Sequence, residues 1–413
     1  MLTIPDAFSE IDDPRRDHAT TLHPLVNVLV IAICAMIAGA TGFTALAMFG
    51  ETKQVWLSQF LDLENGLPSH DTFNRVFTLL APSAFLQALM AWTQALEADT
   101  EGKVVAVDGK KLRRSFDTAS KKAAIHMVGA WISENHTALA QLPVDEKSNE
   151  ITAIPPLLRL LELRGAIVTI DAMGTQKAVA AQIVEQGGDY VLALKDNHPH
   201  FYADAIDLLD YAIDNRGDEP LIEPAEAAGA VSTVVQHFEI PLPAPVSDVA
   251  SSEPVAVLEP LILSTVVDVE RGHGRLESRR VWSLSGVDSL LGDRGWVGLS
   301  SLVRIDSARS TPKKESKDWR YYISSLEGKN PHQAGGAVRT HWGIENGLHW
   351  VLDMAFREDE CRVRIGHAAT NLAHLRRAVL TKLRREKSVR VGAQAKQLKA
   401  ALDERYLLKV LTA

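Results

Sequence analysis

The chain has 413 residues, of which 46% are hydrophobic and 23% are charged, as in an ordinary globular protein. Its two cysteines, Cys34 and Cys361, exclude a disulfide scaffold and favour a reducing, cytoplasmic location. The net charge of −8 argues against a protein that binds polyanions over its whole surface. The charge is uneven, however: residues 330–413 carry 15 Lys and Arg against 8 Asp and Glu, and the remainder carries 29 against 44. The C-terminal part is therefore either a phosphate-binding surface or a solvated helical tail, and charge alone does not decide between them.

Residues 1–100 show helical periodicity and no strand pattern, which predicts a separate N-terminal helical domain. Pro24 begins an apolar run, Leu25–Phe43, whose length is at the threshold for a membrane-spanning helix. Asn27 and two glycines interrupt it, and no second apolar run follows, so a buried core helix without membrane contact is favoured. Ser69 is predicted to cap a later helix.

After residue 100 the pattern changes to short β-branched runs that alternate with helices. Strands are predicted at residues 104–107, 125–133, 137–144, 166–170 and 190–194, and helices at 151–163 and 175–186. This alternation implies parallel pairing beside one antiparallel hairpin. Residues 101–215 therefore predict the first part of an α/β domain, with a mixed five-strand sheet and helices on its faces.

Residues 216–330 are rich in Pro, Ala, Ser and Glu around β-like runs. They predict a β-rich insertion with a flexible part near Pro243–Pro254. Residues 331–413 are helical again, and they are predicted to supply the helical part of the α/β domain and a basic tail. The tail contains a cluster of basic residues: Lys382, Arg384, Arg385, Lys387 and Arg390.

Three acidic residues in separate segments form the candidate site. Asp108 ends the apolar run Val104–Val107, Asp171 ends the run Ala166–Ile170, and Glu345 lies in a late helix. Groups at the carboxyl ends of strands in an open α/β sheet face one crevice, and neither Asp is expected to continue its strand. For either Asp alone, a turn cap is the alternative. The repeated geometry and the third acid favour a site for two divalent cations, which clamp the attacking and leaving oxygens of a phosphodiester.

Glu345 has a histidine four residues to either side, His341 and His349, on the same predicted helix face. Two metal sites therefore compete. Magnesium prefers oxygen ligands, whereas zinc readily takes imidazole. The HExxH spacing of zinc proteases is absent, so an oxygen site for Mg²⁺ or Mn²⁺ is favoured over a zinc site.

Basic residues near these acids are candidates for contacts with DNA phosphates. Lys110 and Lys111 follow the first Asp, and Arg362 and Arg364 follow the late helix. An arginine fork can hold a phosphate at two points. The alternatives are a solvated loop for the lysines and an exposed helix with internal ion pairs for the arginines.

Several motifs have the pattern of one known family. They are Ile11–Arg15 and Pro68–Phe77 near the amino end, Ala106–Lys110 and Thr169–Met173 in the middle, and Gly272–Arg279, Arg320–Leu326, His341–Arg364 and Asn371–Ala373 later. On these motifs, over nearly its whole length, the chain resembles bacterial insertion-sequence transposases of the DDE type. The resemblance is to the subgroup that includes the H-repeat-associated proteins.

The resemblance implies a ribonuclease-H-like fold and metal-dependent cutting and joining of DNA, with two Mg²⁺ or Mn²⁺ ions. Asp108, Asp171 and Glu345 take the positions of the three metal-binding acids. The ions lower the pKa of a water, its hydroxide cuts a phosphodiester at the element end, and the freed 3′-hydroxyl attacks target DNA. The implied partners are double-stranded DNA, both element ends and target, and a second copy of the chain, at the nucleoid in the cytoplasm.

The better-known relatives place a Tyr, an Arg and a Lys around the helix Glu for DNA contacts. Here those spacings hold Val338, His341 and Leu352, so that set is not carried over. Arg339 and His341 are the predicted substitutes. The alternative function is a domesticated DNA-binding protein, derived from a transposase, that has lost catalysis; the intact acidic trio argues against it.

Overall fold

The computed structural model describes residues 7–15, 21–93, 100–116, 123–144, 149–221, 235–243, 260–272, 275–311 and 314–413. The helices are α1 (Leu25–Ile37), α2 (Phe43–Thr52), α3 (Gln54–Leu57), α4 (His70–Leu79), α5 (Pro82–Thr93), α6 (Glu150–Leu158), α7 (Lys177–Glu185), α8 (Pro199–Asp214), α9 (Asp288–Leu291), α10 (Pro331–His341), α11 (Trp350–Phe356), α12 (Ala368–Arg385), α13 (Ala393–Leu402) and α14 (Glu404–Thr412). The strands are β1 (Val104–Lys111), β2 (His126–Ile132), β3 (Thr137–Pro143), β4 (Ile167–Ile170), β5 (Asp189–Leu194), β6 (Gln236–Ile240), β7 (Leu261–Gly272), β8 (Arg275–Ser285), β9 (Ser301–Thr311) and β10 (Lys314–Ser324).

The chain forms two compact units. The helical unit comprises Met1–Asp99, Ala106–Glu162 and Trp342–Ala413, and the sheet unit comprises Thr100–Val105 and Leu163–His341. Strand β1 has residues in both units, because the boundary falls after Val105. Each unit therefore takes its residues from segments that are far apart in sequence.

In the helical unit, the long helix α12 is central. It packs against α1, α4, α5 and strand β3, and its apolar side chains, such as Leu372 and Val379, are fully buried. The strands of this unit follow the order β3-β2-β1, with β2 and β3 antiparallel. Helices from both ends of the sequence thus share one hydrophobic core with the start of the predicted α/β domain.

The sheet unit has the strand order β4-β5-β10-β9-β8-β7-β6. Strands β4 and β5 are parallel, and the pairs from β5 to β6 are antiparallel. Val104 and Val105, the part of β1 in this unit, lie next to β4, and the Lys103 carbonyl accepts a hydrogen bond of 2.9 Å from the Ile167 amide. Within the sheet unit, the start of β1 therefore lies beside the strand that precedes Asp171.

The mixed α/β class predicted from the sequence is confirmed, but two details differ. The predicted strand 104–107 runs on to Lys111. The β-like runs after residue 260 also continue the sheet of β4 and β5, because β10 pairs along four residues with β5. Apolar alternation marks such strands but does not reveal which neighbour they pair with. The predicted flexible part near Pro243–Pro254 lies, after its first residue, outside the described residues.

Helix α1 is a core helix, as predicted. It begins directly after Pro24 and ends at Ile37, and the residues from Val28 to Ile37 are buried. In the part of the chain that the structure describes, no single helix is long and apolar enough to cross a membrane. One bent pair, α4 and α5 at 103°, meets the criteria of length and composition. The predicted Ser69 cap of α4 is also present, with its hydroxyl accepting from the Thr72 amide at 3.3 Å.

Two adjacent glycines in α10 give a matched test of how this helix packs on the sheet. A Cβ at Gly335 would lie 2.6 Å from Cγ2 of Val281, whereas a Cβ at Gly336 would meet nothing within 4 Å. Val281 is buried on β8 and, being β-branched, moves little. We expect Gly335→Ala to lower the free energy of unfolding by about 1–3 kcal/mol through overpacking. Gly336→Ala should raise it by up to about 1 kcal/mol through helix propensity.

Urea denaturation of the two variants measures this difference. Equal effects of both substitutions would contradict the close approach of α10 to β8.

Candidate active site

Asp108 lies inside β1 and does not terminate it. The four residues before it are buried, and its side chain is one-quarter exposed. The predicted end of the strand at Asp108 is wrong because Gly109 and Lys110 continue β1. Beyond the end of β1, the Leu112 amide donates to the Ile125 carbonyl at 2.8 Å, which extends the pairing toward β2. The carboxylate therefore projects from a strand fixed on both sides of it.

Gly109 lets helix α6 approach β1. A Cβ at this position would lie 2.3 Å from Oε1 of Glu150, in the first turn of α6. That same Oε1 is held 2.6 Å from Nε2 of His126 on β2. The absence of a side chain at Gly109 therefore allows α6 to pack closely against β1, the strand that carries the Asp108 carboxylate.

Glu345 begins a π turn that spans Glu345–His349. Turns of this kind are rare and occur frequently at functional sites. Ile344 and Leu348 anchor the turn in the core of the helical unit, while the Glu345 side chain is 63% exposed. A regular helix was predicted here; the structure instead ends α10 at His341 and resumes α-helix at Trp350.

Arg384 stabilises the π turn from outside. Its Nη2 donates a hydrogen bond to the Gly347 carbonyl inside the turn, and its guanidinium lies 5.0 Å from the centre of the Trp131 ring. Gly347 lies against the same ring: a Cβ added at Gly347 would be 3.6 Å from Cζ2 of Trp131. The backbone that carries Glu345 is therefore held by a side chain of α12 and an aromatic ring of β2.

Asp108, Glu345 and His349 come together although they are far apart in sequence. One ligand atom from each lies within 4.8 Å of the others. Nδ1 of His349 is 3.1 Å from Oε2 of Glu345 and 3.6 Å from Oδ2 of Asp108. Two carboxylates and one imidazole in this arrangement can hold a divalent cation.

His349 is a neutral imidazole at physiological pH. Burial, reinforced by the positive charges of Arg377 and Lys110, lowers its pKa to about 3, against opposing effects of Glu358 and Asp353. A neutral imidazole has one N–H and one lone pair. Its Nδ1 can therefore donate to a neighbouring carboxylate or, in the other tautomer, offer a lone pair to a metal ion.

A buried ion network lies behind His349. The Lys110 ammonium, 9% exposed, is 2.7 Å from Oδ2 of Asp353. Glu358 is buried and accepts a hydrogen bond of 3.0 Å from Arg377, with Arg376 at 3.8 Å. Burial alone would raise the pKa of Glu358, but these arginines and Lys110 bring it below the usual value.

Asp171 lies in the sheet unit, directly after β4, where it was predicted. It caps a short 3₁₀ turn, and its Oδ1 accepts from the Gly174 amide at 3.2 Å. Asp171 is exposed to solvent. In the same unit, His341 ends α10, with Nδ1 2.9 Å from the Thr169 hydroxyl. Burial lowers the pKa of His341, and the negative charge of Asp171 partly opposes this shift.

The predicted DNA contacts fall into different environments. Lys111 and Arg362 are exposed, whereas Lys110 is committed to the buried pair with Asp353. Arg339 pairs with Glu270 in the sheet unit. Arg364 donates to the Arg114 carbonyl at 3.2 Å and lies over the Phe116 ring. His341, as described above, contacts Thr169.

Sequence reasoning did not predict two features of this site. It weighed His349 only as a zinc ligand, although its spacing of four residues from Glu345 already indicated the contact. It did not foresee that Arg384 supports the turn that carries Glu345. No local sequence pattern indicates the contact between Arg384 and Gly347, because the two residues are 37 positions apart in the chain.

Comparison with known proteins assigns the family. The family model described as "Transposase DDE domain" matches residues 99–381, and the family model described as "DDE_Tnp_1-associated" matches residues 5–93. The chain is 34% identical over 394 residues to "H repeat-associated putative transposase YhhI" of Escherichia coli K12, covering 94% of this chain and 92% of that protein. It is 34% identical over 411 residues to "Putative transposase YncI" of Escherichia coli O157:H7, covering 98% and 93%. The chain belongs to the DDE-domain transposase family, and the resemblance noted from its motifs is confirmed.

A shorter match has a different name. "Inactive transposase YbfQ" of Escherichia coli K12 is 47% identical over 55 residues, which cover 13% of this chain and 66% of that protein. Membership of the family therefore does not by itself establish catalysis.

Proposed function

We propose that this chain is an active, metal-dependent transposase that cuts DNA at the ends of its insertion sequence and joins the freed ends to target DNA. The proposal includes a ribonuclease-H-like catalytic core and a dimer that bridges two ends. One observation carries it: the carboxylates of Asp108 and Glu345 meet beside His349, with ligand atoms within 4.8 Å.

The donor set fits a divalent cation. Asp108 and Glu345 offer the oxygen ligands that Mg²⁺ and Mn²⁺ prefer. Glu345 is largely exposed, so an ion with its own waters can reach the pair. We assign His349 an orienting role: its Nδ1–H donates to Oε2 of Glu345 and holds that carboxylate toward Asp108. This role leaves both carboxylates available for Mg²⁺ or Mn²⁺ and does not require zinc.

Asp171 is proposed as the third acid. The support is its place directly after β4, beside the start of the strand that leads to Asp108, together with the resemblance of Thr169–Met173 to the family's second acidic motif. Asp171 is exposed, and among the described residues its carboxylate accepts one long amide hydrogen bond of 3.2 Å, so it retains lone pairs for a metal ion.

The residues then have distinct roles in the reaction. When bound, two divalent ions would lower the pKa of a water and stabilise the attacking and leaving oxygens of the phosphodiester. Asp108, Asp171 and Glu345 would hold the ions, and His349 would orient Glu345. Lys110 pairs with Asp353 and, two residues after Asp108, fixes the end of β1 to helix α11. No protein nucleophile is required.

Iron-directed cleavage of the protein backbone tests which acids hold metal. Fe²⁺ replaces Mg²⁺ in the intact protein, and ascorbate with peroxide then cuts the chain close to the bound iron. We expect fragments that end near residues 108, 171 and 345, and we expect excess Mg²⁺ to suppress them. The fragments are read by gel electrophoresis and mass spectrometry.

The control is Glu51→Gln, which changes an exposed acid on α2 and should leave the fragments unchanged. Cuts near residues 108 and 345 without any near 171 would remove Asp171 from the site. No Mg²⁺-sensitive cut at any of the three would favour the inactive, DNA-binding alternative.

A further inference from the structure

A basic groove lies in the helical unit, between the β2–β3 turn and the segment after α12. It has a volume of about 600 Å³. Its lining residues are His136, Arg384, Lys387, Val389, Arg390, Val391, Gly392 and Lys396. None of the described residues that line it carries a carboxylate, so the groove collects positive charge on one surface.

Among the described lysines and arginines that line the groove, only Lys396 has a carboxylate partner, with its Nζ 3.9 Å from Oε2 of Glu386. Among the described residues, no carboxylate lies within ion-pair distance of Arg384, Lys387 or Arg390. The neighbouring acid, Glu386, is buried and engaged elsewhere: it accepts from the Tyr406 hydroxyl at 2.8 Å and from the Ser388 amide at 2.7 Å. The exposed side chains of Lys387 and Arg390 are therefore free to meet an anion from outside.

The unpaired charges also affect the ionisation of their neighbours. Burial lowers the pKa of the Arg384 guanidinium to about 10, so it stays charged at neutral pH, and no carboxylate among the described residues pairs with it. Burial and the charges of Arg384 and Lys387 lower the pKa of His136. A bound anion would relieve this accumulation, since an uncompensated charge away from water is costly.

Two other residues of the basic cluster, Lys382 and Arg385 of α12, point inward and do not line the groove. The Lys382 ammonium donates to the carbonyl of Ala413 at 2.6 Å, and Arg385 donates to the carbonyl of Thr93. The structure thus separates the basic cluster seen in the sequence into structural cations and groove cations.

The groove is connected to the candidate metal centre. Arg384, which lines the groove, also donates to the Gly347 carbonyl inside the π turn that begins with Glu345. An anion in the groove would therefore bind close to the backbone that positions a proposed metal ligand.

We propose that the basic groove binds the phosphodiester backbone of the DNA that the protein cuts, with Lys387 and Arg390 as the contacting cations and Arg384 as the link to the π turn. DNA is the proposed occupant because the groove is cationic and because Arg384, which lines it, also holds the π turn of the proposed centre for phosphodiester chemistry. This inference rests on the proposed function for the identity of the anion.

The test is the salt dependence of DNA binding, measured by fluorescence anisotropy with a labelled double-stranded DNA of random sequence. Each phosphate contact contributes about 0.9 to the slope of log K against log salt, so Lys387→Gln/Arg390→Gln should reduce the slope by about two. Affinity at about 0.1 M salt should fall on the order of tenfold or more. The matched control is Arg405→Gln/Lys409→Gln, which removes two exposed cations from α14 outside the groove and should leave the slope unchanged.

Either an unchanged slope in the groove variant or an equal fall in both variants would overturn the proposal. An equal slope loss with polyglutamate in place of DNA would also overturn it, since the site would then accept any polyanion. If wild-type protein shows the groove effect but no Mg²⁺-dependent nicking, the proposed function fails and the groove assignment stands.

Discussion

Asp108→Asn, Asp171→Asn and Glu345→Gln are each expected to abolish Mg²⁺-dependent nicking of a plasmid that carries the element ends. Each substitution keeps the side-chain shape but removes the negative charge that would hold a divalent ion. Because the ions stabilise the charge that develops on the phosphodiester, we expect a loss on the order of 10³-fold or more. Nicking is followed by gel electrophoresis of the supercoiled and open-circular forms.

DNA binding should survive in all three variants, since none of these acids contributes an attractive charge to phosphate. Anisotropy is expected to give affinities within about twofold of the wild type. Glu51→Gln serves as the control for loss of one exposed carboxylate. Near-normal nicking by any one of the three variants would reject that residue as a metal-binding acid.

The sequence predicted the parts of the candidate site that depend on local pattern. The apolar run before Asp108 marks a buried strand, and the run before Asp171 marks another, because side chains buried on both faces of a strand read as continuous β-branched residues. The spacing of four residues between Glu345 and His349 also placed them on one face.

The rest depends on contacts between distant segments. Lys110 followed an acidic residue and was predicted to face DNA; the structure pairs it with Asp353, which no local pattern could indicate. The extension of β1 past Asp108 depends on pairing toward β2, which is settled by the partner strand. Its register is therefore a property of the assembled unit and not of the motif.

The basic residues of helix α12 also show that sequence alone does not reveal which charges are exposed. Its sequence carries Arg376, Arg377, Lys382, Arg384 and Arg385, which reads as a basic tail. In the structure the first three are buried among carbonyls and Glu358, and the last two donate to backbone carbonyls of other elements. Cations that cap carbonyls stabilise the fold, so net charge overestimates the surface available to DNA.

Glu358→Gln is expected to destabilise the helical unit by about 3–5 kcal/mol, because it removes the negative partner from a buried network and leaves Arg377 and Arg376 uncompensated. The glutamine keeps the volume of the side chain, so the loss reports charge and not a cavity. Glu360→Gln, which removes an exposed partner of Arg357 in the same turn, should cost no more than about 1 kcal/mol. Urea denaturation at neutral pH gives both values.

The dependence on pH has a definite sign. The pKa of Glu358 in the folded protein lies below its ordinary value of 4.5, so the carboxylate contributes stability above that pH and loses it as the pH falls through the lower folded value. The difference in stability between wild type and Glu358→Gln should therefore be full at neutral pH and shrink in acid. A difference that stays constant into acid, or one no larger than that of Glu360→Gln, would show that Glu358 does not act as the buried counter-charge. The network behind His349 would then need another source of negative charge to keep Arg376 and Arg377 in place.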